Sequence, residues 1–209
     1  MSLHPPTPAS PLHPVIVRAA EGILPEWTKA SPQRRSHMAR VAAIMRDWAR
    51  VRGEEAETIS RWFAAGFLHD ALRDEDHEVL RGRVDPSLRD LPGHILHGPG
   101  VAKRLQEEGV QDEELLHAIC YHTLGSAGFG TIGMALYAAD FLEPGRRVGE
   151  DWRAELRQRV PTALLEVVKE ILTARIGYLL DKGRPLHPET MGFWNHLSEG
   201  KPWASASEF

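Results

Sequence analysis

Apolar positions recur along this chain at three- and four-residue intervals, with no useful run of two-residue alternation, so the pattern predicts helices and no sheet. Val41, Ile44, Met45 and Trp48 form one such stripe, in a segment that opens on Ser31 as N-cap with Pro32 at the first helical position and runs to about Arg52. After Gly53 a second helix is predicted over Glu54 to Leu72; its apolar run Trp62-Phe63-Ala64-Ala65-Gly66-Phe67-Leu68 leads into His69 and Asp70. Asp74 to Arg81 reads as a short charged helix, and residues 84–93, with Pro86 and Pro92, as a loop. Val101 to Glu108 is helical and stopped by Gly109. From Asp112, the apolar positions Leu115, Leu116, Ile119 and Cys120 lead to Tyr121-His122-Thr123. Met134 to Leu142 is almost wholly apolar, with one acid, Asp140. The remaining helices fall at Val15 to Leu24, Glu150 to Arg159, Thr162 to Lys182 and Pro188 to Leu197. The expectation is an all-α, single-domain helical bundle over residues 31–198, after an arm and short helix at 1–30 and before a tail at 199–209.

Composition narrows the function classes. A net charge of −4 and a pI near 6.3 argue against a general nucleic-acid binder. No apolar run reaches the roughly 18 residues of a membrane span, and the amino terminus lacks the basic and apolar regions of a signal peptide, so the expected location is cytoplasmic. A single cysteine, Cys120, excludes an internal disulfide and reads as a small packing residue. The glycine-rich stretch Gly125 to Gly133 is no phosphate-binding loop, because no strand precedes it and no Lys-Ser/Thr follows.

Histidine and carboxylate placement carries the chemistry. His37, His69, Asp70, His97, His122 and Asp140 end or interrupt apolar helices, and apart from the adjacent pair each comes from a different segment. Singly, each has an ordinary structural explanation: a helix-capping histidine, a turn-starting aspartate, a satisfied core imidazole. Together they describe how a helical bundle builds a metal centre in its core. Imidazole with carboxylate suits iron, manganese, zinc or cobalt better than magnesium or calcium.

The order His, His-Asp, Asp resembles the signature of the HD-domain metal-dependent phosphohydrolases, and the histidines added between His-Asp and the last Asp resemble the two-metal members. The segments Ser36-His37-Met38-Ala39-Arg40-Val41-Ala42, Ala65-Gly66-Phe67-Leu68-His69-Asp70, Leu96-His97-Gly98-Pro99, Tyr121-His122-Thr123-Leu124-Gly125, Tyr137-Ala138-Ala139-Asp140-Phe141-Leu142-Glu143-Pro144-Gly145-Arg146 and Lys182-Gly183-Arg184-Pro185-Leu186-His187-Pro188 are similar to the YqeK-type subgroup, the symmetrical bis(5′-nucleosyl)-tetraphosphatases.

The resemblance implies an enzyme that hydrolyses diadenosine tetraphosphate to two ADP with a hydroxide activated by a two-metal centre. His37, His69, Asp70 and Asp140 would hold one ion; His97, His122 and a bridging Asp70 would hold the other. The implied cofactors are two divalent or trivalent transition-metal ions, iron first, with manganese, cobalt or zinc as alternatives. Asp70 and Arg73 are the implied catalytic pair. Arg73, Arg146 and Arg184 are candidates to cover phosphate charge, and Tyr121 and Thr123, flanking His122, either contact phosphate or pack. Arg73 stands where HD proteins commonly carry a lysine, which keeps the charge and changes the donor geometry. His77, His94, His117, His187 and His196 have no place in the pattern. The implied partner is a small nucleotide polyphosphate, with no nucleic acid and no membrane; six tryptophans leave a homodimer open. The alternatives are an HD phosphatase or phosphodiesterase acting on a nucleoside mono- or triphosphate or a cyclic dinucleotide, and a non-catalytic metal- and nucleotide-binding regulator.

Overall fold

The structure is a computed structural model that describes residues 12–145 and 149–199. Among them run α1 (Pro14–Ala20), α2 (Pro32–Val51), α3 (Ala56–Leu68), α4 (His77–Arg83), α5 (His97–Glu107), α6 (Glu113–Tyr121), α7 (Thr131–Leu142), α8 (Glu150–Arg159), α9 (Leu164–Asp181) and α10 (Pro188–Ser198). Two short 3-10 turns lie at Pro86–Leu88 and Gly93–Ile95, and the described residues contain no strand, as the periodicity predicts. The arm before Leu12, Arg146 and the tail from Gly200 onward lie outside the described residues.

The bundle is assembled around α7. Ile132, Ala135, Leu136, Tyr137, Ala138, Ala139 and Leu142 are all buried, so this helix is apolar on every side and has no solvent face to orient it. It contacts α2, α3, α6, α8 and α9, and its single acid, the half-buried Asp140, is thereby set against His37 of α2. α2 contributes Met38, Val41, Ala42, Met45 and Trp48 to the same core, with His37 on the buried face. α9 buries Leu164, Val167, Val168, Ile171 and Leu172, while Leu165 is 51% exposed.

α2 and α3 pack at backbone contact. A Cβ at Gly66 would lie 2.8 Å from Ala42 Cα, so only glycine permits this approach, which sets His37 and His69 with ring centroids 5.4 Å apart. Gly98 serves α5 and α6 in the same way: a Cβ there would meet the Ile119 carbonyl at 2.7 Å and the His122 ring at 3.0 Å.

Of the element boundaries that differ from expectation, two matter to the site. α3 ends at Leu68 rather than Leu72, because residues 69–73 fold into successive turns, with Ala71 N–H donating to the Leu68 carbonyl and Arg73 N–H to that of Asp70. Lys29 clamps this turn from outside: its N–H donates to the Ala71 carbonyl at 2.7 Å and its carbonyl accepts from Asp74 N–H at 3.0 Å. α5 starts at His97 rather than Val101. Pro99 sits within its first turn, where an N–H would have no helical partner in any case.

Candidate metal centre

Three of the four central histidines orient themselves by one local device. His69 Nδ1 lies 2.8 Å from the Gly66 carbonyl, His97 Nδ1 3.0 Å from that of His94, and His122 Nδ1 2.8 Å from that of Ile119. In each case the partner is the carbonyl three residues back. A carbonyl only accepts, so each Nδ1 carries the proton and each Nε2 presents a lone pair. His37 lies inside α2 and has a different partner: its Nδ1 faces Glu143 Oε1 at 3.4 Å.

These nitrogens converge on Asp70, which is 3% exposed. Oδ1 of Asp70 lies 2.9 Å from His97 Nε2 and 3.6 Å from His122 Nε2; Oδ2 lies 3.5 Å from His69 Nε2 and 3.7 Å from His37 Nε2. Asp140 Oδ1 approaches His37 Nε2 to 3.2 Å. Two buried groups result, His37–His69–Asp70 and Asp70–His97–His122, with the ligand atoms of each within 4.8 Å of one another and Asp70 common to both.

Lone pairs and carboxylate oxygens pointed at one another in a buried pocket repel unless a cation lies among them. The Nε2 atoms of His37 and His69 are buried with no hydrogen-bond partner, and the Nε2 atoms of His97 and His122 face each other at 3.1 Å. The donor set is nitrogen and oxygen with each histidine braced at its second nitrogen, which fits a divalent metal centre. Local electrostatics agree. Burial works against charge on Asp70, but the imidazoles gathered around it, His69 foremost with His122 and His97, hold the carboxyl well below its usual range. For His69, burial is outweighed by the Asp70 and Asp140 carboxylates, so its pKa is raised. His97 goes the other way, pushed down to about 4 chiefly by burial.

The six expected ligands are therefore gathered in one place, five in the two tight groups and Asp140 through His37. Arg73 donates from Nη1 to the His94 carbonyl at 2.7 Å, the same carbonyl that His97 uses, and so braces the His97 ring. Thr123 Oγ1 lies 3.1 Å from His122 Nε2, whereas Tyr121 turns to His117 with ring centroids 4.7 Å apart. Arg184 is exposed; with Arg73, His77 and His187 it forms a positive surround which, after burial, lowers the pKa of His94. Of the histidines without a place in the sequence pattern, His94 lends its carbonyl to both Arg73 and His97. Burial pushes the Cys120 thiol up to about 12, which removes it as a thiolate nucleophile. Of the tryptophans, Trp62 is in the core and Trp152 is 37% exposed.

Sequence reasoning missed two residues. Arg34 Nη1 donates to Asp70 Oδ2 at 2.7 Å, with its side chain 31% exposed. Its position three residues before His37 on α2, hence on the same helix face, was the available signal. Glu143, buried behind His37, follows Asp140 by three residues but lies just past the end of α7, where periodicity no longer assigns a face.

A model of the HD domain family matches residues 34–171. The chain is 30% identical over 167 residues to the symmetrical bis(5′-nucleosyl)-tetraphosphatase of Bacillus subtilis, covering 79% of this chain and 78% of that relative. It is 28% identical over 188 residues to the protein of the same name from Staphylococcus aureus, covering 87% and 92% respectively. A crystal structure titled as a predicted HD superfamily hydrolase involved in NAD metabolism, from Clostridium acetobutylicum, superposes with a TM-score of 0.71 at 24% identity, over 82% of this chain and 92% of that one. With the histidines and aspartates of the motif converged on one buried carboxylate, the chain belongs to the HD-domain family of metal-dependent hydrolases, in the branch of the symmetrical bis(5′-nucleosyl)-tetraphosphatases.

Proposed function

We propose that this protein hydrolyses a dinucleoside tetraphosphate, diadenosine tetraphosphate foremost, between its two inner phosphates to give two ADP. The observation that carries the reading is that one buried carboxylate, Asp70, is shared between two histidine groups, one at each oxygen. A site of this form suits a pair of ions, and the relatives named for symmetrical tetraphosphate cleavage supply the substrate class.

When bound, two metal ions supply Lewis acidity toward phosphoryl oxygens and an acidified water as nucleophile. His37, His69, Asp70 and Asp140 would hold one, and Asp70, His97 and His122 the other, with iron the first candidate and manganese, cobalt or zinc the alternatives. Asp70 stays ionised and His97 neutral near pH 7, which keeps both in their ligating forms. Arg34 reaches Asp70 from the partly exposed side and is suited to meet an incoming phosphate, since its planar fork can bind carboxylate and phosphate alike. Arg73 keeps the His97 imidazole in place through the His94 carbonyl and adds positive charge to the rim; Arg146 and Arg184 are proposed as further cover for the polyphosphate. That positive surround offsets the repulsion between an anionic nucleophile and an anionic substrate. Thr123 is proposed as a phosphate contact beside His122, and Tyr121 as a packing residue.

The test combines elemental analysis with chromatography of the products from diadenosine tetraphosphate. The expected result is close to two metal ions per chain with ADP as sole product. ATP plus AMP would overturn the symmetric cut, and metal without turnover would remove this substrate.

A further inference from the structure

We infer that Glu143, held by Arg40, is the positioning residue that fixes the His37 imidazole for metal on the His37–His69–Asp140 side of the centre. The inference rests on the metal-centre part of the proposed function and is independent of the substrate.

His69, His97 and His122 each lean on the carbonyl three residues before them. His37 cannot copy that device as readily, because it lies within α2, where the preceding carbonyls already serve the helix ladder. Its Nδ1 meets a side chain from another part of the fold instead, Glu143 Oε1 at 3.4 Å. The carboxylate is itself fixed. Oε2 accepts from Arg40 Nε at 2.6 Å and from Gly145 N–H at 2.9 Å, and the residue is 4% exposed. Gly145 is required for this arrangement: a Cβ there would stand 2.6 Å from Arg40 Nη2 and 2.8 Å from Glu143 Oε1. Arg40 lies three residues beyond His37 on α2, so one helix face supplies both the imidazole and the cation that holds its carboxylate partner.

The division of labour between the two oxygens gives a specific consequence. Oε2 takes two N–H donors and Oε1 faces the imidazole. In Glu143→Gln the amide must keep its oxygen toward Arg40 and Gly145, which turns its NH2 toward His37 Nδ1. An NH2 in that place needs an acceptor, so Nδ1 loses its proton to Nε2, and the nitrogen aimed at the metal is blocked. A merely structural Arg40–Glu143 pair would make no such demand on the tautomer.

The experiment titrates Co2+ into the full-length, metal-free protein and reads affinity and stoichiometry by calorimetry together with the visible cobalt spectrum. In the wild type, two ions are expected to bind. Glu143→Gln is expected to weaken one of them by about 10–100-fold and leave the other unchanged. The 15N shifts of the His37 ring in the metal-free variant should report the proton on Nε2. Glu143→Asp keeps a carboxylate and should recover part of the affinity. In a His37→Ala background the Glu143→Gln effect should vanish. Equal weakening of both ions, an undiminished affinity, or an effect that persists without His37 would each overturn the assignment. If Glu143→Gln does not fold, Arg40→Gln replaces it, with a smaller loss expected at the same ion. A wild type that binds no Co2+ would instead overturn the metal centre as a whole.

Discussion

The two sides of Asp70 are built differently. On the side of Oδ1, His97 and His122 come from adjacent helix ends, each braced by its own backbone, and Gly98 lets those ends touch. On the side of Oδ2, His37, His69 and Asp140 come from three separate helices, with Arg34, Arg40 and Glu143 as charged neighbours. The first side depends on local geometry and burial; the second depends on tertiary packing and opposed charges. Their proton affinities differ accordingly, since His69 sits among carboxylates that raise its pKa while His97 is pushed down to about 4 mainly by burial.

Asp70 is the one residue whose loss should erase the difference. Asp70→Asn keeps the shape and removes the charge shared by both groups, so both ions should be lost and activity should fall by about 10³-fold or more. Elemental analysis and steady-state rates read this, with circular dichroism as a control for folding. Retention of one tightly held ion would mean that the sides are independent rather than bridged. Next in size come His97→Ala and His37→Ala. Each should remove one metal equivalent and lower turnover by roughly 10²–10³-fold while leaving the helical spectrum unchanged; full turnover in His97→Ala would sink the two-metal reading.

The smallest effect is a difference in acid sensitivity. A ligand must be deprotonated to hold a metal, so a raised histidine pKa brings proton competition at a higher pH and a lowered one postpones it. As pH falls, the ion that remains in His97→Ala, on the His69 side, should therefore dissociate at a higher pH than the ion that remains in His37→Ala. Dialysis across a descending pH series with metal analysis measures the order, and the reverse order would break the electrostatic contrast between the two sides.

Much of the molecule was legible in the sequence because its signals are local. Helix periodicity, Ser31 with Pro32, and the stops at Gly53 and Gly109 located most elements within a few residues. The ligand types could be picked out because a histidine or aspartate in an apolar run needs a partner. Glu143 escaped because it lies just past a helix end, where periodicity assigns no face, and Arg34 because its only signal was a place three residues before His37.

What the sequence by itself determined is the set of helices and the residue types that end or interrupt them; the turns that let His69, His97 and His122 lean on a carbonyl three residues back came with the structure. Only the tertiary structure decided that these rings share Asp70, that Arg34 reaches it, and that Glu143 stands behind His37. The physical reason is range. Periodicity and hydrogen bonds to the nearby backbone act within a turn, whereas convergence on one carboxylate is set by how closely helices approach, and at Gly66 and Gly98 that distance is fixed by the side chain that is missing.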